Sequence, residues 1–144
     1  MFKEFSKRNI YKITRAVLSI KKSKLPKSGN GLFTLEDIKK NSVISSYYGE
    51  KITINELARR VEIGKGRYAV GLNKRHVIDA MNSSCPAKYA NDANGPIKKE
   101  KFKNNSKFYN FKGSIALVAT KNIAAGEEIF AAYGKEYWDF YKAR

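Results

Sequence analysis

The sequence predicts a mostly-β domain of several small sheets with short helices, and three observations predict it. Short segments rich in β-branched, aromatic and small apolar residues recur along the 144-residue chain, separated by glycine, asparagine and lysine breakers. The clearest helix signature is brief: Thr53-Ile54-Asn55-Glu56 fits a capping box, with threonine at the cap and glutamate three residues later. No internal repeat and no linker interrupts the pattern, so the strands belong to one domain.

The elements follow in order. Residues 1–14 are polar and basic, and are expected as a short arm or first helix. Ala16-Val17-Leu18-Ser19-Ile20 reads as a strand, and the stretch from Lys24 to Gly31 as a loop punctuated by two glycines. Leu32-Phe33-Thr34 and Ser42 to Tyr47 are the next strands. The capped helix runs through Val61 and stops before Gly64. Tyr68 to Leu72 and Val77-Ile78-Asp79 make a hairpin around Asn73-Lys74; Ser106 to Phe111 and Ile115 to Ala119 make another across Lys112-Gly113. Glu128 to Ala132 is the last strand, followed by an aromatic tail, Tyr137-Trp138-Asp139-Phe140-Tyr141.

Composition narrows the function classes. At this length a real core forms without disulfides or metals, and no apolar run approaches the roughly 20 residues of a membrane span. The first residues carry neither the apolar stretch nor the cleavage site of a secretory signal, which implies an intracellular setting, nuclear or cytoplasmic. One cysteine, Cys85, and one histidine, His76, are too few for a thiolate or imidazole metal centre; both are expected to be structural.

Net charge is +16, with lysines outnumbering arginines 22 to 7, which predicts salt-sensitive attraction to polyanions. The densest run, Lys98-Lys99-Glu100-Lys101-Phe102-Lys103 continuing to Lys107, reads first as a solvated loop. The sharper alternative is a patch that holds nucleic acid or an acidic partner.

Four short motifs carry the chemistry: Gly29-Asn30-Gly31-Leu32-Phe33, Tyr47-Tyr48-Gly49-Glu50, Ala87-Lys88-Tyr89-Ala90-Asn91-Asp92-Ala93-Asn94, and Gly126-Glu127-Glu128 running to Tyr133-Gly134. In this order and spacing they resemble the signature of the SET domain family of protein-lysine methyltransferases. The resemblance covers roughly residues 16–138 and implies a domain over 15–138, a basic arm over 1–14 and a short tail over 139–144. It also implies a C-terminal pseudoknot, an unusual threading, that brings Asn91 and Tyr133 together across 42 positions.

The same resemblance implies S-adenosyl-L-methionine as cofactor and assigns roles. Gly29, Asn30 and Gly31 would let backbone approach the cofactor's methionine portion. Asn91 would bond its amino-acid end, and Lys88 and Tyr89 would line it. Asp92 replaces the family's usual histidine and keeps a backbone role towards the adenine. Trp138 would close the pocket by stacking on the adenine, with Tyr137 and Phe140 packed around it. Tyr133 corresponds to the catalytic tyrosine, and Tyr47 to a wall of the channel through which the substrate lysine reaches the methyl. Ala131 and Phe108 would shape that channel, leaving room for more than one methyl. Many nuclear members carry a three-cysteine zinc segment after the corresponding tyrosine; residues 134–144 contain no cysteine.

The implied reaction is methyl transfer to a lysine on a protein tail, a histone being one candidate. Asp79, Glu50 and Asp92 would make the groove locally acidic, or nucleosomal DNA would attract the basic enzyme as a whole. Two other classes fit the composition. One is a non-catalytic nucleic-acid-binding module, its 18 aromatics interleaved with 29 basic residues. The other is a SET-like scaffold that binds the cofactor poorly.

Overall fold

A computed structural model of the chain describes residues 12–13, 17–94 and 101–132. The expectations placed on residues 1–11, on Lys98 to Glu100, and on Tyr133 and the tail beyond it, Trp138 included, lie outside the described residues.

The described chain forms eleven strands and one α-helix. They are β1 (Lys12–Ile13), β2 (Leu18–Lys22), β3 (Asn30–Thr34), β4 (Ser42–Tyr47), β5 (Glu50–Thr53), α1 (Ile54–Glu62), β6 (Ala69–Gly71), β7 (His76–Asp79), β8 (Ser106–Phe111), β9 (Ser114–Ala119), β10 (Glu128–Ile129) and β11 (Ala131–Ala132). Among the described residues one 3-10 turn covers Pro86–Tyr89.

Three sheets result, as the strand-rich pattern requires: β1-β4-β9-β8-β11, β10-β3-β2 and β5-β7-β6. In the first, β1 pairs parallel with β4 and β11 parallel with β8, while β4-β9-β8 is antiparallel. The hairpin β8-β9 forms because Lys112 and Gly113 both adopt positive φ, 51° and 87°, the geometry a two-residue turn between twisted strands needs. Thr53 caps α1 as expected, its hydroxyl accepting the Glu56 amide at 3.1 Å. The Glu56 carboxylate does not complete the box, because Arg59 and Arg60 both hold it at 2.8 Å.

The main core is shared by Leu32, Ile38, Ile44, Tyr47, Leu72, Cys85, Ile115, Leu117, Ile123 and Ile129, with small residues Ala80, Ala87, Ala90, Ala119 and Ala131 filling the gaps. Alternation decides which strand residues enter it: Tyr47, Ile115, Leu117 and Ala119 face inward, whereas Val43, Ala116 and Val118 form a second cluster with Tyr109 and Phe111.

Two expectations are corrected. The strand expected at 16–20 is β2, which begins after Val17 and runs on to Lys22, because its register is set by β3, with Lys22 opposite Asn30 and Leu18 opposite Thr34. The last strand is not continuous. Glu128–Ile129 pairs antiparallel with β3 and Ala131–Ala132 parallel with β8, so the chain changes sheets at Phe130. The Phe130 carbonyl accepts both the Asn105 and Ser106 amides at 3.0 Å, and its ring packs into a third cluster with Leu25, Ala93 and Phe102.

One close approach fixes the corner after β4. A Cβ on Gly49 would lie 2.3 Å from the Asp79 carbonyl oxygen and 2.9 Å from the Ala80 Cα, and neither backbone atom can move aside. Gly49→Ala is therefore expected to lower stability by about 2–3 kcal/mol, as overpacking does. Thermal unfolding followed by circular dichroism checks this; an unchanged midpoint would contradict the corner geometry.

Candidate functional site

The motif residues converge where β3, the 3-10 turn and the β10-β11 segment meet. Gly29 has φ +63°, a left-handed conformation that glycine adopts without strain, and no atom lies within 4 Å of where its Cβ would stand. The turn it makes is closed by the Ser23 amide on the Gly29 carbonyl at 2.8 Å, and the Asn30 carbonyl follows it. Asn91 donates from Nδ2 to that carbonyl at 3.0 Å, linking two motifs that are 61 residues apart. Because a carbonyl oxygen only accepts, this bond fixes which end of the amide is nitrogen. The Asn91 Oδ1 accepts no hydrogen bond from the described residues.

Gly31 does something different from its neighbour. Its missing Cβ makes room for the Glu128 carboxylate, whose Oε2 would be 2.3 Å away from such a Cβ. Glu128 is buried, and its oxygens accept the Ser23 hydroxyl at 2.6 Å and the Lys24 amide at 2.8 Å. The second glutamate of the Gly-Glu-Glu motif thus ties the loop after β2 to β10. No sequence signal separates this Glu from its exposed neighbour Glu127 except the alternation of the strand it opens.

The returning chain runs beside Asn91. Asn91 bridges Phe130 in parallel, and the Ala131 amide donates to the Asn91 carbonyl at 2.9 Å. Ala131 itself is fully buried under β8. Ala132 is the last residue of this described segment, so Tyr133 and Trp138 stand beyond it.

Tyr47 and Phe108 are brought together edge to face, centroids 5.2 Å apart. Tyr47 is buried, and its hydroxyl donates to the Tyr68 carbonyl at 2.5 Å. Tyr68 was not singled out in the sequence; it also meets Tyr89 edge to face at 5.9 Å. Lys88 places its ammonium over both of these rings, 5.4 and 5.3 Å from their centroids, and donates to the Met81 and Ser83 carbonyls. Its charge is thereby directed to the 81–83 segment.

The acidic groove expected from Asp79, Glu50 and Asp92 does not form. Asp79 is buried and pairs with Arg60 at 2.8 Å; the same guanidinium holds Glu50 at 2.9 Å. Arg60 keeps the Glu50 carboxyl below the usual carboxylate range, and Arg59 with Arg60 lowers Glu56 to about 2. Asp92 is buried too, its carboxylate accepting from the Asn104 side chain and the Asn94 amide. Carboxylates spent on such partners lend little negative potential to a groove. A hollow of about 530 Å³ beside these ion pairs is lined by Arg59, Ile63, Lys65 and Met81 and by none of the residues that converge on Asn91.

No group of three or more metal-ligating side chains occurs among the described residues. His76 contacts the Asn73 carboxamide at 3.2 Å, at the turn between β6 and β7. Cys85 is fully buried, and burial pushes its thiol pKa up. In the native protein it is expected to stay unalkylated by iodoacetamide and to react on denaturation; intact mass reads the difference, and a native adduct would contradict this packing. No described helix is long and apolar enough to cross a membrane.

Over 116 residues the chain is 29% identical to Histone-lysine N-methyltransferase 2D of Homo sapiens, an overlap of 77% of this chain and 2% of that protein. The Mus musculus protein of the same name gives the same figures. The chain therefore spans about 2% of the length of these curated relatives. A family model described as SET domain matches residues 29–134, from the Gly29 turn to Gly134. That match takes in most of the chain and all four motifs, and the chain belongs to the SET domain family.

Proposed function

We propose that this chain is a protein-lysine N-methyltransferase that uses S-adenosylmethionine and acts on a lysine-bearing protein tail, a histone among the candidates. The observation that carries the reading is the bond from Asn91 to the Asn30 carbonyl, which joins the glycine turn to the asparagine motif beside open space. The residues present fit the cofactor's amino-acid end. Gly29 leaves the backbone uncovered, and Asn91 Oδ1 is an acceptor without a partner among the described residues.

When bound, the cofactor supplies an electrophilic methyl on a sulfonium. The chain's own residues would do the rest. Gly29, Asn30, Gly31 and Asn91 would hold the amino-acid end, Lys88 and Tyr89 would line the cofactor, and the main chain of Asp92 and the ring of Trp138 would flank the adenine. Tyr47 and Phe108 form the aromatic wall that covers the aliphatic stem of the incoming lysine. Tyr133 orients the amine. A free lysine has a pKa near ~10.4 and must lose a proton to react. Desolvation between aromatic walls favours the neutral amine, so water takes the proton and no dedicated base is required. The small Ala131 leaves room at the channel end for an amine that already carries a methyl.

The test is incubation with methyl-labelled cofactor, core histones and a cell extract, with label located on lysine by mass spectrometry. Wild-type protein is expected to transfer label and Tyr133→Phe to lose most of it. Absence of transfer together with no calorimetric heat at near-millimolar cofactor would overturn the reading in favour of a non-catalytic module. Unchanged labelling by Tyr133→Phe would remove that tyrosine from the mechanism.

A further inference from the structure

We propose that the surface formed by residues 21–27 and 101–103 docks the phosphate backbone of double-stranded nucleic acid, without reading base sequence. These two basic segments are distant in sequence and are clasped together by the chain at Glu128 to Phe130. The Glu128 carboxylate holds the Lys24 amide, and Asn105 donates to the Glu128 carbonyl and accepts the Phe130 amide. Leu25 and Phe102 pack in one cluster with Phe130. The stretch expected as a solvated loop is thus anchored at Phe102, whose ring centroid lies 5.6 Å from that of Phe130.

Lys21, Lys22, Lys24, Lys27, Lys101 and Lys103 are all exposed on these segments. Residues 17–35 and 101–110 contain no aspartate or glutamate, and Glu128, the carboxylate that reaches in, is buried. The remaining described acids lie outside these segments: Glu36 and Asp37 just past β3, Glu50, Glu56 and Asp79 around Arg60, Glu62 at the end of α1, Asp92 buried against Asn104, and Glu127 on the amide of Ala124. Among the described residues, no exposed acid lies on either segment.

The chemistry favours a phosphate polymer. Both segments carry lysine and no arginine, and lysine ammoniums bind phosphates as point charges without a fixed bidentate geometry, which suits contact with a backbone rather than with base edges. Lys21 stands 4.4 Å over Phe33 and Lys101 5.1 Å over Phe102, so the two rings steady the ammoniums. Phe33 is buried and Phe102 is turned into its cluster, which leaves neither as a stacking platform for an unpaired base. What remains is backbone attraction driven by counterion release.

The experiment uses the full chain and a fluorescent 24-base-pair duplex, with affinity read by anisotropy across salt. For about five phosphate contacts, log affinity should fall against log salt with a slope of about −4.5. Lys22→Glu with Lys24→Glu, Lys101→Glu and Lys103→Glu is expected to lose more than tenfold in affinity. The same charge change at Lys39, Lys65, Lys74 and Lys121 is expected to lose less than threefold. Glutamine at the first four positions decides the matter if charge reversal unfolds the chain. Equal loss in both sets would overturn the proposal, as would tighter binding of single strands or equal competition by polyglutamate. No outcome depends on methyl transfer, so failure here leaves the enzymatic reading untouched.

Discussion

Asn91→Ala is expected to weaken S-adenosylmethionine binding by about 10- to 150-fold and to abolish detectable methyl transfer at low cofactor concentration. The magnitude is that of a hydrogen bond to a charged group, about 1.5–3 kcal/mol. Two effects combine. The substitution removes the open Oδ1 acceptor, and it releases the Asn30 carbonyl from the 3.0 Å bond that holds the glycine turn against the asparagine strand. Asn91→Asp separates them: it keeps an acceptor but sets a carboxylate against the Asn30 carbonyl, so the turn loses its tether while the acceptor survives. Calorimetry on folded protein measures both variants. Wild-type affinity in Asn91→Ala would remove this residue from the cofactor site.

The largest expected effect on stability is Glu128→Ala, a loss of about 3 kcal/mol. The carboxylate is 4% exposed and accepts two short hydrogen bonds, so alanine strands the Ser23 hydroxyl and the Lys24 amide and leaves a void beside Gly31. For a chain of this size the unfolding midpoint should drop by about 6–12 °C. Glu128→Gln retains an acceptor for Lys24 and should cost about 1 kcal/mol. Thermal unfolding monitored by circular dichroism orders the three proteins. A Glu128→Ala midpoint equal to that of wild type would show that the loop after β2 is held by something else.

Neither effect is visible from local pattern. The β8-β9 hairpin, the Thr53 cap and the burial of Cys85 are legible in sequence because turn chemistry, capping and side-chain character act over a few residues. The pairing of Ser23 with Glu128 spans 105 positions, and nothing in either neighbourhood announces it. Glu128 reads as a surface charge until β10 is laid against β3, where Gly31 makes room for it. Asp79 has the converse history: a carboxylate that looked available for a substrate is consumed by Arg60 once β7 and α1 meet.

By itself the sequence determined the family, the strand-rich architecture, and the set of residues from which a methyl-transfer site would be assembled, because motif order, alternation and turn residues are properties of the chain. Tertiary structure alone decided that the last strand splits at Phe130, that one glutamate ties the loop after β2 to β10, and that Leu25 and Phe102 pack together against Phe130. These are contacts between residues far apart in the chain, and burial and hydrogen bonding settle them only when the sheets come together.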